Sequence, residues 1–289
     1  MSKPSADGDG FRSGFATLVG RPNVGKSTLV NALVGTKVSI VSDKPQTTRN
    51  RIVGVLNQPG AQVVFVDTPG LHKPRGPLSG QLNDTAVGAA DDVDVVMMVV
   101  DGAAGTGRGD EFVARATRPG LLVVNKIDGL APPQVLSVLE AAAALVPEAE
   151  VWPVSARTGD GVRELARAVG ALMPAGPRYY PEDMVTDVPE AFWVAELVRE
   201  QLLAVARDEV PHSIACRVTE WEWPRIRCEI LVERESQKGI VIGVGGTVLK
   251  QVGTAVRAQL PPGAYLELFV KVDRDWQRHP RALERLGYQ

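Results

Sequence analysis

Cysteine is nearly absent: in 289 residues only Cys216 and Cys228 occur, each flanked by alternating apolar residues. Two such cysteines predict strand positions in a reducing, cytoplasmic compartment and exclude a disulfide scaffold or a cysteine-held metal. Long apolar runs are missing as well. The longest, such as Val93–Val100, is broken by Asp94 and falls far short of the roughly 20 residues that cross a bilayer, so no transmembrane segment is expected. The first 14 residues are polar and rich in Gly, Asp and Ser, which argues against a secretory signal and for a loose tail over residues 1–13. Nor does charge of one sign dominate: 32 Lys/Arg face 34 Asp/Glu, a formal net charge of -2, so overall charge does not point to nucleic acid. No internal repeat or low-complexity tract is present.

What is present is an alternation of short apolar runs with amphipathic stretches. Phe15–Val19, Val63–Val66, Val93–Val100 and Leu121–Val124 read as strands, with helical segments such as Glu111–Arg118 and Pro133–Leu145 between them. That order predicts an α/β domain with a mixed, mostly parallel sheet covered by helices, whose phosphate-binding loops lie at the strand C-termini. The Pro/Gly-rich stretch Met173–Pro181 breaks the rhythm and reads as an interdomain linker. Beyond it the pattern is a helix (Pro189–Asp208), a hairpin (Ser213–Trp221 and Arg225–Arg234, joined at Trp223-Pro224), helices at Gln237–Ile242 and Thr247–Gln259, and a strand Ala264–Val272. This α-β-β-α-α-β order describes a smaller α+β domain.

The first domain carries the chemistry. Gly20-Arg21-Pro22-Asn23-Val24-Gly25-Lys26-Ser27 follows a strand and opens a helix, as a phosphate-binding loop must. Its glycines let backbone N–H groups wrap the phosphates, Lys26 reaches the β- and γ-phosphates, and the Ser27 hydroxyl suits Mg²⁺. Asp67-Thr68-Pro69-Gly70 ends the Val63–Val66 strand, where Asp67 can hold the magnesium through water and the Gly70 N–H can sense the γ-phosphate. Asn125-Lys126-Ile127-Asp128 ends another strand and offers a carboxylate to guanine N1–H and its exocyclic amine together, a contact adenine cannot match, so an ATPase is disfavoured. Ser155-Ala156, after Val151–Val154, would turn a backbone N–H to guanine O6. Between the first two motifs lies Gln46-Thr47-Thr48-Arg49, a candidate switch loop in which Thr48, with Thr47 as the alternative, would ligate Mg²⁺ only in the triphosphate state. Lys26, Thr48 and Gly70 are the candidate catalytic residues. Leu71, directly after Gly70, stands where Ras-type enzymes have a water-orienting Gln, so slow intrinsic turnover or outside help is expected. Asn23 makes K⁺ a second candidate ion, one that would neutralise charge as an in-built arginine finger does.

Over nearly its whole length, Gly14–Gly287, the chain resembles the Era family of bacterial ribosome-assembly GTPases. The resemblance rests on Gly20–Ser27, Lys44-Pro45-Gln46-Thr47-Thr48-Arg49, Asp67-Thr68-Pro69-Gly70-Leu71-His72 and Asn125–Asp128. It rests too on Gln237–Gly246 and on Arg281-Ala282-Leu283-Glu284-Arg285-Leu286-Gly287-Tyr288. It implies a Ras-like GTPase domain (14–173), a linker (174–188) and a type II KH domain (189–289). It further implies binding of GTP and GDP, recognition of the 3′ end of 16S ribosomal RNA, and a role in maturation of the 30S subunit. The expected protein is a cytoplasmic monomer with a peripheral inner-membrane association.

In the second domain Gly243-Val244-Gly245-Gly246 has the GxxG spacing of a loop that clamps single-stranded RNA between two helices. The family loop usually carries a basic residue in its middle and this one does not, which predicts fewer phosphate contacts and a shallower salt dependence. Lys238 and Lys250 are the first candidates to compensate, with Arg257, Lys271, Arg225 and Arg227 behind them. Trp221, Trp223 and Trp276 could stack bases, with core packing expected of at least two. The competing reading is a GTPase that acts on a protein or membrane partner through a KH-like scaffold that no longer grips RNA.

Overall fold

The computed structural model describes residues 10–73, 77–205, 213–274 and 276–286. Most of the expected tail, the end of the expected Pro189–Asp208 helix, and Gly287 and Tyr288 lie outside the described residues. The chain divides into two compact units, one of Met1–Ser39, Thr48–Pro74 and Leu82–Asp187, the other of Ile40–Thr47, Arg75–Gln81 and Val188–Gln289.

The first unit is built on a six-stranded sheet. In chain order its strands are β1 (Arg12–Val19), β2 (Ile52–Gln58), β3 (Ala61–Asp67), β4 (Val95–Asp101), β5 (Leu121–Asn125) and β6 (Glu150–Pro153), and they lie side by side as β2-β3-β1-β4-β5-β6. Only the β2–β3 pair is antiparallel. Because side chains alternate across a strand, Leu18 and Met97 enter the core under α1 (Lys26–Val34) and α5 (Val162–Leu172), while Val19 and Met98 enter the one under α2 (Pro77–Asp91), α3 (Arg108–Thr117) and α4 (Pro132–Leu145). Both faces are therefore apolar, and the C-terminal ends of β1, β3, β4 and β5 meet on one rim, where the sequence motifs lie.

Two expectations change here. β1 begins at Arg12, not after residue 13, because Arg12 and Ser13 pair in register with Ala61 and Gln62. The expected linker is strapped to the first unit. Met173 is fully buried, Ser13 N–H donates to the Pro174 carbonyl (2.9 Å), and Gly176 N–H donates to Phe11 (3.1 Å). The Gln62 carboxamide accepts from Tyr179 and Tyr180 N–H (2.8 and 3.0 Å), and Thr186 Oγ1 donates to the Val53 carbonyl (2.6 Å). Proline and glycine here shape an extended strap whose polar groups find partners on β1, β2 and β3.

The second unit has α6 (Glu190–Val205), β7 (Ala215–Glu222), β8 (Arg225–Val232), α7 (Glu235–Ile242), α8 (Thr247–Arg257), β9 (Tyr265–Val272) and a short α9 (Pro280–Arg285). The sheet order is β7-β8-β9, with β7–β8 antiparallel and β8–β9 parallel. Ile226, Cys228, Ile230 and Val232 alternate into a core shared with Val194, Leu197 and Val198 of α6 and Val252 and Val256 of α8. Cys216 and Cys228 are buried there as free thiols, and burial beside Cys228 holds the Cys216 thiol well above its ordinary pKa. The unit also takes in residues 40–47: Val41 N–H donates to Glu200 Oε1 (3.0 Å), and the buried Arg199 guanidinium donates to the Thr47 carbonyl. By length and hydropathy alone, residues 235–257 pass for a membrane span, but Gly243, Gly245 and Gly246, all at positive φ, divide the stretch into two helices.

Candidate nucleotide site and glycine loop

Every motif on the rim of the first sheet is brought together. Lys26, the first residue of α1, is 6% exposed, and its ammonium donates to the loop carbonyls of Gly20 (3.2 Å) and Arg21 (3.0 Å). Burial pulls its pKa down to about 8, against the attraction of Asp67. Four oxygen-bearing side chains converge beside it. Ser27 Oγ lies 2.9 Å from Thr48 Oγ1 and donates to Asp67 Oδ2 at 2.7 Å; Thr48 Oγ1 reaches the same oxygen at 3.2 Å, and Ser39 Oγ at 2.7 Å. Asp67 Oδ1 is buried with no hydrogen bond among the described residues. Burial drives the Asp67 pKa up, and the three hydroxyls and Lys26 oppose it. Two hydroxyls and one carboxylate within hydrogen-bonding distance form a hard-oxygen set that fits Mg²⁺. Sequence reasoning missed Ser39, for which no motif gives a signal.

Thr48 and Thr47 part company. Thr47 directs its hydroxyl to the Lys44 carbonyl (2.7 Å), so of the two only Thr48 joins Ser27 and Asp67. Gly70 packs against Pro22: a Cβ there would lie 2.7 Å from the Pro22 nitrogen and 2.8 Å from its Cα, so only glycine allows the approach. Thr68 is buried and bonded to the Leu18 carbonyl (2.7 Å). Leu71 is buried, and its N–H closes onto the Gly20 carbonyl (3.0 Å). An apolar, buried side chain there cannot orient a water.

The loops expected to read the base hold the rim together. Asn125 Nδ2 donates to the Val24 carbonyl and its Oδ1 accepts from Ala156 N–H, both at 2.9 Å, which ties the phosphate loop to Ser155-Ala156. Lys126 donates to the Asn23 carbonyl and to Asp101 Oδ2, both at 2.6 Å, and Asn23 sits at φ 65°. Ile127 begins a single helical turn, and Asp128 within it accepts from Ser155 Oγ (2.7 Å) and pairs with Arg157. The Ser155 hydroxyl, helped by Arg157, holds the Asp128 carboxyl below its usual range and keeps it ionised. Arg157 was not foreseen, although it follows Ser155-Ala156 directly. The Arg21 side chain turns from the rim to the buried Asp110 (2.8 Å) and the Gly105 carbonyl (3.2 Å), leaving its backbone to the phosphate loop.

In the second unit the loop Gly243–Gly246 joins α7 to α8. Gly243 adopts φ 75°, ψ 167°, and a Cβ would meet Val248 N at 2.8 Å, so both conformation and space demand glycine. Val244 is 92% exposed. Lys238 on α7 and Lys250 on α8 flank the loop. The more distant basic candidates are engaged on the outer face of the sheet: Arg225 with Glu267 (2.9 Å), Arg227 with Glu220 (2.6 Å) and over the Phe269 ring, and Lys271 with Glu229 (3.7 Å). Trp276 is fully buried, its Nε1 donating to the Ser213 carbonyl (3.0 Å), but Trp221 and Trp223 are 36% and 50% exposed. One of the three tryptophans packs in the core, not two, because Trp221 and Trp223 stand at the turn end of the hairpin with much of their surface in water.

The sequence profile described as 50S ribosome-binding GTPase matches residues 15–126, and a KH domain profile matches residues 209–277. The chain is 46% identical to the GTPase Era of Geotalea uraniireducens and 45% identical to that of Geobacter metallireducens, in each case over 96% of this chain and 98% of the relative. Among solved structures, one of Era in complex with MgGDPNP and nucleotides 1506–1542 of 16S ribosomal RNA superimposes with a TM-score of 0.92 at 38% identity. One of a point variant of Aquifex aeolicus Era bound to GDP.AlF4- does so at 0.91 and 38%, and each covers 96% of this chain and 99% of the other. With the full set of nucleotide motifs on one rim, a glycine loop between two helices in the second unit, and relatives matched end to end, the chain belongs to the Era family of GTPases.

Proposed function

We propose that this GTPase is a nucleotide-gated RNA clamp that holds the 3′ end of 16S rRNA through the Gly243–Gly246 loop during maturation of the small ribosomal subunit. The observation that carries the reading is the pairing, in one chain, of the rim at Lys26, Ser27, Thr48 and Asp67 with a loop whose backbone only glycine can adopt. End-to-end similarity to an Era crystallised with MgGDPNP and 16S rRNA nucleotides supports it.

In this reading Lys26 and the backbone N–H groups of Gly20–Ser27 hold the phosphates. Ser27, Thr48 and, through water, Asp67 would hold Mg²⁺, which would neutralise phosphate charge. Thr48 is the sensor: its hydroxyl can serve the metal only while residues 47–49 stay in place, so loss of the γ-phosphate releases the segment. Leu71 supplies no water-orienting group, which leaves K⁺ near Asn23 as the candidate source of extra charge stabilisation. Turnover in K⁺ is expected to exceed that in Na⁺ at equal ionic strength by at least about tenfold; equal rates would overturn this part.

Clamp and switch are tested together by titrating RNA of the 16S 3′-end sequence, and a scrambled control, into protein loaded with GDP or a non-hydrolysable GTP analogue. Tighter binding of the true sequence is expected, with a preference for one nucleotide state of about 5- to 150-fold, mirrored by linkage in nucleotide affinity. Gly243→Ala, at a strain of about 1–3 kcal/mol, should weaken RNA binding about tenfold and leave GTP affinity unchanged. Equal affinity for the scrambled strand would favour the second reading, a KH-like scaffold for a protein or membrane partner. One observation speaks for that alternative: Val244 occupies the exposed loop tip, and Arg225, Arg227 and Lys271 are engaged by carboxylates. Under the leading reading the protein works as a cytoplasmic monomer.

A further inference from the structure

A second concavity opens in the KH-bearing unit at the opposite end of α8 from the glycine loop. It measures about 410 Å³, and its walls include Trp193 of α6, Trp221 at the end of β7, Trp223 in the hairpin turn, and Leu260 and Pro261 beyond α8. The 11 residues of α8 separate it from Gly246, a distance of roughly 16 Å along the helix axis. Three of the five tryptophans in the chain thus line one pocket, and two of them keep 36% and 50% of their surface in water. Trp276, by contrast, is fully buried with its indole N–H satisfied. Exposed indoles grouped around a hollow mark a surface shaped for contact.

The polar lining selects the occupant. Glu190, in the first turn of α6, faces the same pocket and is exposed, and its carboxylate has no ion pair among the described residues. Among the described residues no Lys or Arg lines the pocket, and residues 181–212 of the sequence hold eight acidic side chains against two basic ones. Indole faces carry the negative end of the ring quadrupole, so three of them beside a carboxylate attract a cation. A nucleobase could also stack on indole, but it would bring phosphates toward Glu190, where no basic group among the described residues lines the pocket to receive them. Of the two cationic side chains, the planar, weakly hydrated guanidinium stacks on an indole and pairs with a carboxylate at once. We propose that this pocket docks an arginine side chain from a basic segment of a partner protein. The inference stands whether or not the glycine loop grips RNA.

The test uses the full-length protein and follows tryptophan fluorescence and heat on titration with the peptide acetyl-Gly-Arg-Gly-Arg-Gly-amide. Its control carries citrulline, neutral and nearly isosteric, at both arginines, and a third arm uses a uridine hexamer. Saturable binding of the arginine peptide and not of its citrulline control is expected, and any binding of the hexamer should be insensitive to Trp223→Ala. Glu190→Gln should weaken it roughly threefold to fivefold. Trp223→Ala should weaken it roughly tenfold or more, and Trp223→Phe, which keeps a poorer ring, by an intermediate factor. An unchanged circular-dichroism spectrum and thermal midpoint verify that each variant is folded. Equal binding of the citrulline peptide, indifference to both Trp223 variants, or no saturation at millimolar peptide would overturn the proposal. A uridine hexamer whose binding is lost on Trp223→Ala would overturn it too, in favour of base stacking.

Discussion

Lys26→Ala is expected to lower GTP affinity by about a hundredfold to several thousandfold, the cost of removing one partner from a buried charge pair. The ammonium is 6% exposed and held by the carbonyls of Gly20 and Arg21, with Asp67 near enough to attract it, so it stands ready to exchange those carbonyls for phosphate oxygens. Alanine leaves the triphosphate's charge uncompensated in a place that water does not reach. The same residue imposes a pH dependence whose sign follows from its depressed pKa. Without nucleotide Lys26 loses its proton near pH 8, and phosphate oxygens favour the protonated form, so binding takes up a proton above that value. GTP affinity should therefore be flat below about pH 7.5 and fall by up to about tenfold per pH unit above 8. Titration of a fluorescent GTP analogue from pH 6.5 to 9.5 measures both effects. A Lys26→Ala protein within tenfold of the parent, or an affinity that rises with pH, would remove Lys26 from the phosphate site.

Asp128→Asn is expected to lower GTP affinity roughly a hundredfold or more, two bonds to a charged acceptor being lost, and to turn the preference toward xanthosine triphosphate. Asp128 is kept ionised by the Ser155 hydroxyl and by Arg157, so in the parent it presents acceptors only, as guanine N1–H and the exocyclic amine require. Asparagine keeps one acceptor and gains a donor that suits the carbonyl of xanthine. Competition between the two triphosphates on the same protein decides it, and a variant that still prefers GTP would mean the base is read elsewhere. Arg157→Ala separates the roles within the site: if Arg157 only braces the carboxylate, GTP is weakened and guanine preference is kept.

Some of this architecture was legible from local sequence. The four nucleotide motifs are contiguous runs at strand ends, and backbone geometry alone sets what a Gly20–Ser27 or Asp67–Gly70 segment does, so reading them needs no knowledge of what lies across the fold. The core strands β1, β3, β4 and β5 were readable because both faces are buried and the runs are uniformly apolar. β2 was not. Ile52–Gln58 carries Gly54 and ends in Asn57-Gln58, and its strand state comes from the antiparallel ladder with β3.

Composition also misled at Met173–Pro181, where prolines and glycines suggest a free linker while Ser13 and Gln62, more than 100 residues distant in sequence, bind the segment down. By itself, then, the amino-acid sequence offered motifs for a phosphate loop, a candidate guanine reader and a glycine loop, each encoded within a few consecutive residues. Only the tertiary structure decided which side chains serve them. It chose Thr48 over Thr47, added Ser39 and Arg157, turned Arg21 away to Asp110, and gathered Trp193, Trp221 and Trp223 around Glu190. The physical reason is range: a motif is satisfied by neighbours along the chain, whereas a hydrogen bond or an aromatic wall needs partners that only the packing of distant elements supplies.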